Sequence, residues 1–312
     1  MSLVVQNLKK SYGKKTVVNE LSFTMEQPGV YALLGTNGAG KSTSIRMILG
    51  MLLKDEGEVL FNGAPLTTST VNVGYLAEER GLYPKVSLKE QILYFASLKG
   101  VSKKEAEKRM EHWAKKLKLT EYFYPVPVGK KKVKPYKADQ LSKGNQQKVQ
   151  LMATLISDPE LIVLDEPLSG LDPVNTDLFK EIIHELAGMN KYIIMSSHQM
   201  ETIEEFCTDL TILHRGNPVL QGNLAEIKKS YGRINLCIKA EGDVHPFIEE
   251  MGIAITKETP EEIFVRLSEE SQAQELLGKI VAANIPVIKF MADEPTLHEI
   301  FVEKVGEEAN EV

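Results

Sequence analysis

Residues 29–43 read Gly-Val-Tyr-Ala-Leu-Leu-Gly-Thr-Asn-Gly-Ala-Gly-Lys-Ser-Thr, and their order decides the fold. Tyr31–Leu34 is a short apolar run, expected as a buried strand. Gly35–Ser42 then fits the pattern G-x-x-x-x-G-K-[ST] without a gap. Ser44–Leu53 is expected to continue as an apolar helix. Strand, glycine-rich turn and helix in this order make a phosphate cradle. Gly35, Gly38 and Gly40 let the backbone wrap closely around a phosphate with its N–H groups inward. The helix N-terminus adds partial positive charge. Lys41 supplies a mobile full charge for the β- and γ-phosphates, and Ser42 offers a hydroxyl to Mg²⁺. Asn37, Ala39 and Thr43 complete the nucleotide-binding loop. The stretch implies a nucleoside triphosphate; it does not say which fold family holds it or what work is done.

Leu161-Ile-Val-Leu-Asp165-Glu166-Pro167 is a second apolar strand, ending in two carboxylates. Adjacent acids also suit a solvated strand end, but after a phosphate loop they have chemistry to do. Asp165 is expected to hold Mg²⁺ through its water shell, and Glu166 to polarise the water that attacks the γ-phosphate. A third buried strand, Lys191–Ser197, leads into His198, at the carboxyl edge where a parallel sheet places its ligands. Ser169–Pro173 is a turn before a helix from Val174. Leu141–Gln150 opens another helix, with Ser142 as its N-cap candidate. Ser142, Gly144 and this helix end form a second anion-binding terminus. A second terminus makes sense if it serves a nucleotide held by a different subunit.

Composition bounds the rest. The 312 residues suffice for one domain of about 220–240 residues and a smaller one. Apolar residues make up 43% and charged residues 26%, an ordinary globular balance. No run of 18 apolar residues is present, and Met1–Lys10 does not read as a signal peptide. Cys207 and Cys237 are expected as reduced, buried thiols. From Glu241 to Val312 there are 17 acidic and 5 basic residues, against a net charge of −6 for the whole chain. That shift marks a domain boundary near residues 220–240 and disfavours nucleic-acid binding there. The lysine-rich run Gly129–Lys137 reads as a solvated loop or a contact with anionic lipid; it lacks the aromatic interleaving of nucleic-acid channels.

Taken in order, these segments resemble the ABC transporter ATPases over about residues 1–222. The phosphate loop matches Gly35–Thr43, the signature loop Leu141–Asn145, and the catalytic-acid strand Leu161–Pro167. The dimer-contact loop matches Ser169–Pro173, with Asp172 beside the nucleotide, and the switch histidine matches His198. Tyr12 fits the aromatic that stacks on adenine, although alone it also suits a core or surface position. The resemblance implies an α/β P-loop domain over 1–222, with a helical subdomain at about 86–144. It implies ATP and Mg²⁺ as cofactors, Lys41, Glu166 and His198 as catalytic residues, and Ser42, Glu78 and Asp165 around the metal. It also implies a membrane-spanning permease subunit, a second ATPase subunit (identical or related), and a peripheral place at the cytoplasmic face of the membrane.

This sequence departs from the family norm in three places. The signature reads Leu-Ser-Lys-Gly-Asn rather than Leu-Ser-Gly-Gly-Gln, so Lys143 must point outward or add a cation. Glu78, in preference to Glu79, stands where glutamine is usual. Thr36 replaces a common proline. The stretch Glu-Glu-Arg-Gly-Leu-Tyr-Pro, the signature variant and the C-terminal extension narrow the resemblance to bacterial sodium-efflux-type (NatA/YhaQ-like) ATP-binding subunits. The function so implied is to energise export, of sodium or another small cargo. A soluble ATPase acting on a non-membrane partner and a non-hydrolysing regulatory cassette are the alternatives.

Ile92, Phe95 and Leu98 recur at helical spacing, and Ser102 with Glu105 resembles a capping box. Leu82, Tyr83 and Pro84 are candidates to line the groove that in this family receives the membrane subunit, and are equally read as packing residues. Residues 223–312 read as β-α-β-β-α-β with a closing helix at Thr296–Val305, a ferredoxin-like α+β accessory domain.

Overall fold

The computed structural model describes residues 2–79, 81–126 and 134–310, with side chains as far as 306. The chain forms two compact units, Met1–Gln221 and Gly222–Val312.

The first unit holds two sheets. β1 (Leu3–Tyr12), β2 (Lys15–Met25), β4 (Glu56–Phe61) and β5 (Ala64–Pro65) form an antiparallel sheet in the order β2-β1-β4-β5. β3 (Gly29–Leu34), β6 (Val73–Leu76), β7 (Leu161–Asp165), β8 (Tyr192–Ser197), β9 (Asp209–His214) and β10 (Asn217–Asn223) form the other, in the order β10-β9-β3-β8-β7-β6. Its pairs β9–β3, β3–β8, β8–β7 and β7–β6 are parallel. Every residue of β7 and β8 is buried, which explains why both read as apolar runs without alternation. Between the sheets Leu33, Ile45, Val163, Tyr192 and Ile194 share one core with Phe23, Val59 and Phe61. Each such side chain contributes about 1.5–3 kcal/mol by leaving water.

Four helices of this unit begin at a side-chain cap. Ser87 starts α2 (Leu88–Leu98) and Ser102 starts α3 (Lys103–Lys116), each accepting the N–H three residues on. The short α4 (Thr120–Phe123) follows, then α5 (Lys143–Leu155) behind Ser142 and α6 (Pro173–Gly188) behind Asp172. A single turn, α7 (Met200–Ile203), ends the set.

The helix after the phosphate loop is shorter than its apolar pattern suggests. α1 spans Lys41–Ile48, not Ser44–Leu53. Gly50 adopts φ +67°, its N–H bonds Met47 O, and Met51 N–H bonds Arg46 O. These paired bonds stop a helix at a left-handed glycine. Met51 and Leu53 lie beyond it, exposed. At the other end the helix begins at Lys41, three residues before Ser44, directly behind Gly40 of the phosphate loop.

The second unit opens with α8 (Leu224–Tyr231) and then alternates β11 (Asn235–Ala240), α9 (His245–Glu250), β12 (Ala254–Glu258), β13 (Ile263–Arg266), α10 (Ser271–Ala282) and β14 (Val287–Asp293). α11 (Leu297–Asn310) closes it. The sheet runs β12-β13-β11-β14 with every pair antiparallel, the split order expected of a ferredoxin-like unit. Leu236, Ile238 and Val265 pack against Ile248, Leu276 and Ile280, giving this unit its own core.

Both cysteines are free and buried, as expected. Of the basic run Gly129–Lys137, residues 129–133 lie outside the described residues.

Candidate functional site

Strand order builds the site. β8 lies between β3 and β7, all three parallel, so their carboxyl ends emerge side by side. β3 delivers the phosphate loop, β7 delivers Asp165 and Glu166, and β8 delivers His198. The carboxyl edge of a parallel sheet is where such folds bind ligands.

In the phosphate loop, the glycines are required by contact as well as by conformation. At Gly35, φ is +144° and an added Cβ would stand 2.3 Å from Leu213 O. At Gly40, φ is +108° and a Cβ would stand 2.6 Å from Val17 O. Gly38, also at positive φ, faces open space, and Thr36 and Asn37 are exposed beside it. Ala39 is buried and Thr43 half-buried. Gly40 caps α1 without a side-chain hydrogen bond, so the first-turn amides remain available to an anion.

Lys41 is buried, and its Nζ donates to Gly35 O at 2.8 Å and Thr36 O at 3.2 Å. The same ammonium lies 3.2 Å from Glu166 Oε1. On the other side His198 Nδ1 is 2.8 Å from Glu166 Oε2. Glu166 is therefore held between a lysine and a histidine, in a left-handed backbone conformation with φ +50°. Asp165 accepts from Ser42 Oγ at 3.1 Å, on Oδ1. Ser196 Oγ donates to that oxygen at 2.5 Å and accepts the Glu166 N–H at 3.0 Å. Asp165 Oδ2 is buried with no hydrogen-bond partner. Tyr75 also faces this carboxylate: burial raises its phenol pKa, the Asp165 charge adds to the rise, and Arg46 opposes it.

Two buried carboxylates against one buried ammonium leave an excess of negative charge. Burying an uncompensated charge is costly, and an all-oxygen set is what Mg²⁺ prefers. Ser42 Oγ and the free Asp165 Oδ2 therefore suit that ion. Glu78 is exposed beyond β6, and none of the bonds of Ser42 or Asp165 reaches it. Its neighbour Glu79 lines a different feature, a cleft of about 320 Å³ that Tyr75, Leu82, Phe95, Leu98 and Thr154 also line. Tyr83 stands beside that cleft, stacked on Phe95 with centroids 6.0 Å apart, and Pro84 O accepts the Asp139 N–H.

The signature residues form a second cluster within the unit. Ser142 caps α5 by accepting Asn145 N–H at 3.3 Å. Gly144 lies against Asn175: a Cβ there would meet Asn175 Nδ2 at 2.8 Å. Asp172 caps α6, accepting Asn175 N–H at 2.9 Å and Asn175 Nδ2 at 2.6 Å, and these bonds hold its carboxyl below the usual range. Asn175, unremarked in the sequence, thus joins Gly144 to Asp172. Tyr12 ends β1, 55% exposed, with Lys10 Nζ 5.6 Å from its ring centroid. Among the bonds of Lys41, Asp165 and Glu166 given above, none reaches the Ser142–Gly144 turn.

Comparison with known proteins agrees with this architecture. Residues 18–169 match the ABC transporter family, and residues 222–305 match the DrrA1-3-like ATP-binding protein C-terminal domain. The Bacillus subtilis (strain 168) ABC transporter ATP-binding protein YhaQ is 40% identical over 305 residues, covering 97% of this chain and 98% of its own. ABC transporter ATP-binding protein NatA of the same organism is 34% identical over 224 residues, 70% of this chain and 87% of its own. A solved ATP-binding subunit of an ABC transporter superposes with TM-score 0.64 at 28% identity, covering 74% of this chain and 94% of that one. With the phosphate loop, paired acids and histidine assembled at one sheet edge, the chain belongs to the ABC transporter ATP-binding proteins, ATPases that drive transport.

Proposed function

We propose that this chain energises export through a separate membrane-spanning permease, working as one of two cassettes that close face to face on two ATP molecules. The observation that carries this reading is the Lys41–Glu166–His198 cluster, with Glu166 Oε1 3.2 Å from the ammonium and Oε2 2.8 Å from the imidazole. Lys41 leaves its carbonyl and carboxylate partners to meet the β- and γ-phosphates, which frees Glu166. Glu166 orients a water in line with the γ-phosphorus and accepts its proton as the bond to ADP breaks. His198 keeps Glu166 in place through Nδ1 and offers its Nε2 edge to the γ-phosphate. Ser42 and Asp165, joined by Glu78 in the closed state, would hold Mg²⁺, which would supply charge neutralisation at the β- and γ-oxygens.

The adenine stacks on Tyr12. Because Ser142 and Gly144 lie apart from their own phosphate loop, they cap the nucleotide of the second subunit, with Asp172 at the same contact. That subunit is a copy of this chain or a relative. The cleft at Leu82, Phe95 and Leu98 is apolar and open, and receives the permease. No helix among the described residues is long and apolar enough to cross a membrane. In line with the family resemblance, the chain acts peripherally, at the cytoplasmic face of the membrane. Sodium or another small species is the exported cargo, in line with the sodium-efflux-type resemblance.

Glu166→Gln tests the reading. It should keep ATP binding, lose at least about 100-fold in turnover, and elute as a dimer in ATP by size exclusion. Hydrolysis at the parent rate would remove Glu166 from its assigned role.

A further inference from the structure

Ser196 is fully buried inside β8, in a strand it shares with Tyr192, Ile193, Ile194, Met195 and Ser197. A hydroxyl there must find partners within the protein. It finds two, both on the neighbouring strand end: it donates to Asp165 Oδ1 at 2.5 Å and accepts the Glu166 N–H at 3.0 Å. The parallel register puts Ser196 directly opposite Asp165. One hydroxyl therefore restrains both acids of the site through different atoms.

We infer that Ser196 is a positioning residue of the ATPase reaction, selecting which Asp165 oxygen faces the cation and fixing the backbone from which Glu166 projects. This rests on the roles given above to Asp165 and Glu166. Two observations support it. With Oδ1 taken by Ser196 and Ser42, the unpartnered Oδ2 is the oxygen left for a metal or its water shell. Glu166 sits at φ +50°, a left-handed conformation that non-glycine residues adopt at a cost, and its N–H is anchored by Ser196. Without that anchor the carboxylate loses the geometry that joins Lys41 to His198.

The test compares the full-length parent with Ser196→Ala and with Thr211→Val. The latter removes another fully buried hydroxyl, one bonded to Tyr31. Folding is checked by circular dichroism. ATP affinity is measured by equilibrium dialysis in EDTA and in excess Mg²⁺, and turnover by phosphate release. All three proteins should bind ATP alike in EDTA. Only Ser196→Ala should lose about 10- to 100-fold of the affinity gained from Mg²⁺, the usual effect of removing an outer-shell partner. Its turnover should fall about 100-fold, the scale of a small misplacement of reacting groups. Ser196→Thr, which keeps the hydroxyl, should recover most of both.

A folded Ser196→Ala protein with the parent's Mg²⁺ gain and turnover would overturn the inference. So would a Thr211→Val protein that loses as much. If Ser196→Ala does not fold, Ser196→Cys, similar in shape but a weak hydrogen-bonding group, is judged by the same criteria. A parent chain with no gain from Mg²⁺ would instead defeat the reading of Asp165 on which this one rests.

Discussion

The side chains that matter most here are buried polar ones, and burial sets their chemistry. Cys207 illustrates the inert extreme. Burial, with a smaller contribution from the Glu204 carboxylate, pushes its thiol up to about 12. The thiolate is the reactive form, so little of it is present near neutral pH. Iodoacetamide should leave Cys207 unmodified in the native chain and label it within minutes in denaturant, as read by peptide mass spectrometry. Rapid native labelling would mean that the segment after α7 opens readily. Lys41 and Glu166 are the opposite extreme, buried charges made tolerable by each other and by the surrounding dipoles. Displacing such a pair requires a ligand that brings its own charge, which a polyphosphate does.

At the scale of single elements, caps and strand ends connect stability to the site. Ser142 begins α5 as its N-cap, and in the proposed mechanism it also belongs to the half-site offered to a second subunit. Ser142→Ala should cost about 1 kcal/mol of stability, the usual loss at an N-cap. ATP affinity of the isolated chain should stay unchanged while turnover falls. If urea titration shows the stability loss and turnover is retained, the serine is a cap and nothing more. The same scale shows why α1 was overestimated from sequence. Leu49, Met51, Leu52 and Leu53 prolong its apolar pattern, but Gly50 takes the left-handed position that ends the helix. A glycine in an apolar run is compatible with either outcome until its own hydrogen bonds are known.

For the whole molecule, two separate cores imply two cooperative units. The unit spanning Gly222–Val312 has its own antiparallel sheet and buried cluster, and carries no phosphate loop. Scanning calorimetry should resolve two transitions. ATP with Mg²⁺ should raise only the one belonging to Met1–Gln221, by about 2.7 kcal/mol of stabilisation at a hundredfold excess over Kd. A single transition that shifts as a block would show that the units unfold as one.

Much of this protein was legible along the chain. Gly35–Ser42 announces a phosphate loop because backbone conformation, helix start and lysine all lie within eight consecutive residues. β3, β7 and β8 are legible because a strand buried on both faces must be apolar throughout. The order β-α-β-β-α-β of the second unit follows from short periodic runs separated by turns. The assembly of the site is different. Ser196 lies 30 residues from Glu166, and nothing local to Met-Ser-Ser-His says which of its hydroxyls turns toward the acids. Glu78 and Glu79 share one loop, and of the two only Glu79 lines the neighbouring cleft, a difference that depends on packing. Those contacts exist because β8 is inserted between β3 and β7, and strand order is set by packing between distant segments. Local physics wrote the pieces of this ATPase, and the parallel register between strands decided which oxygens meet.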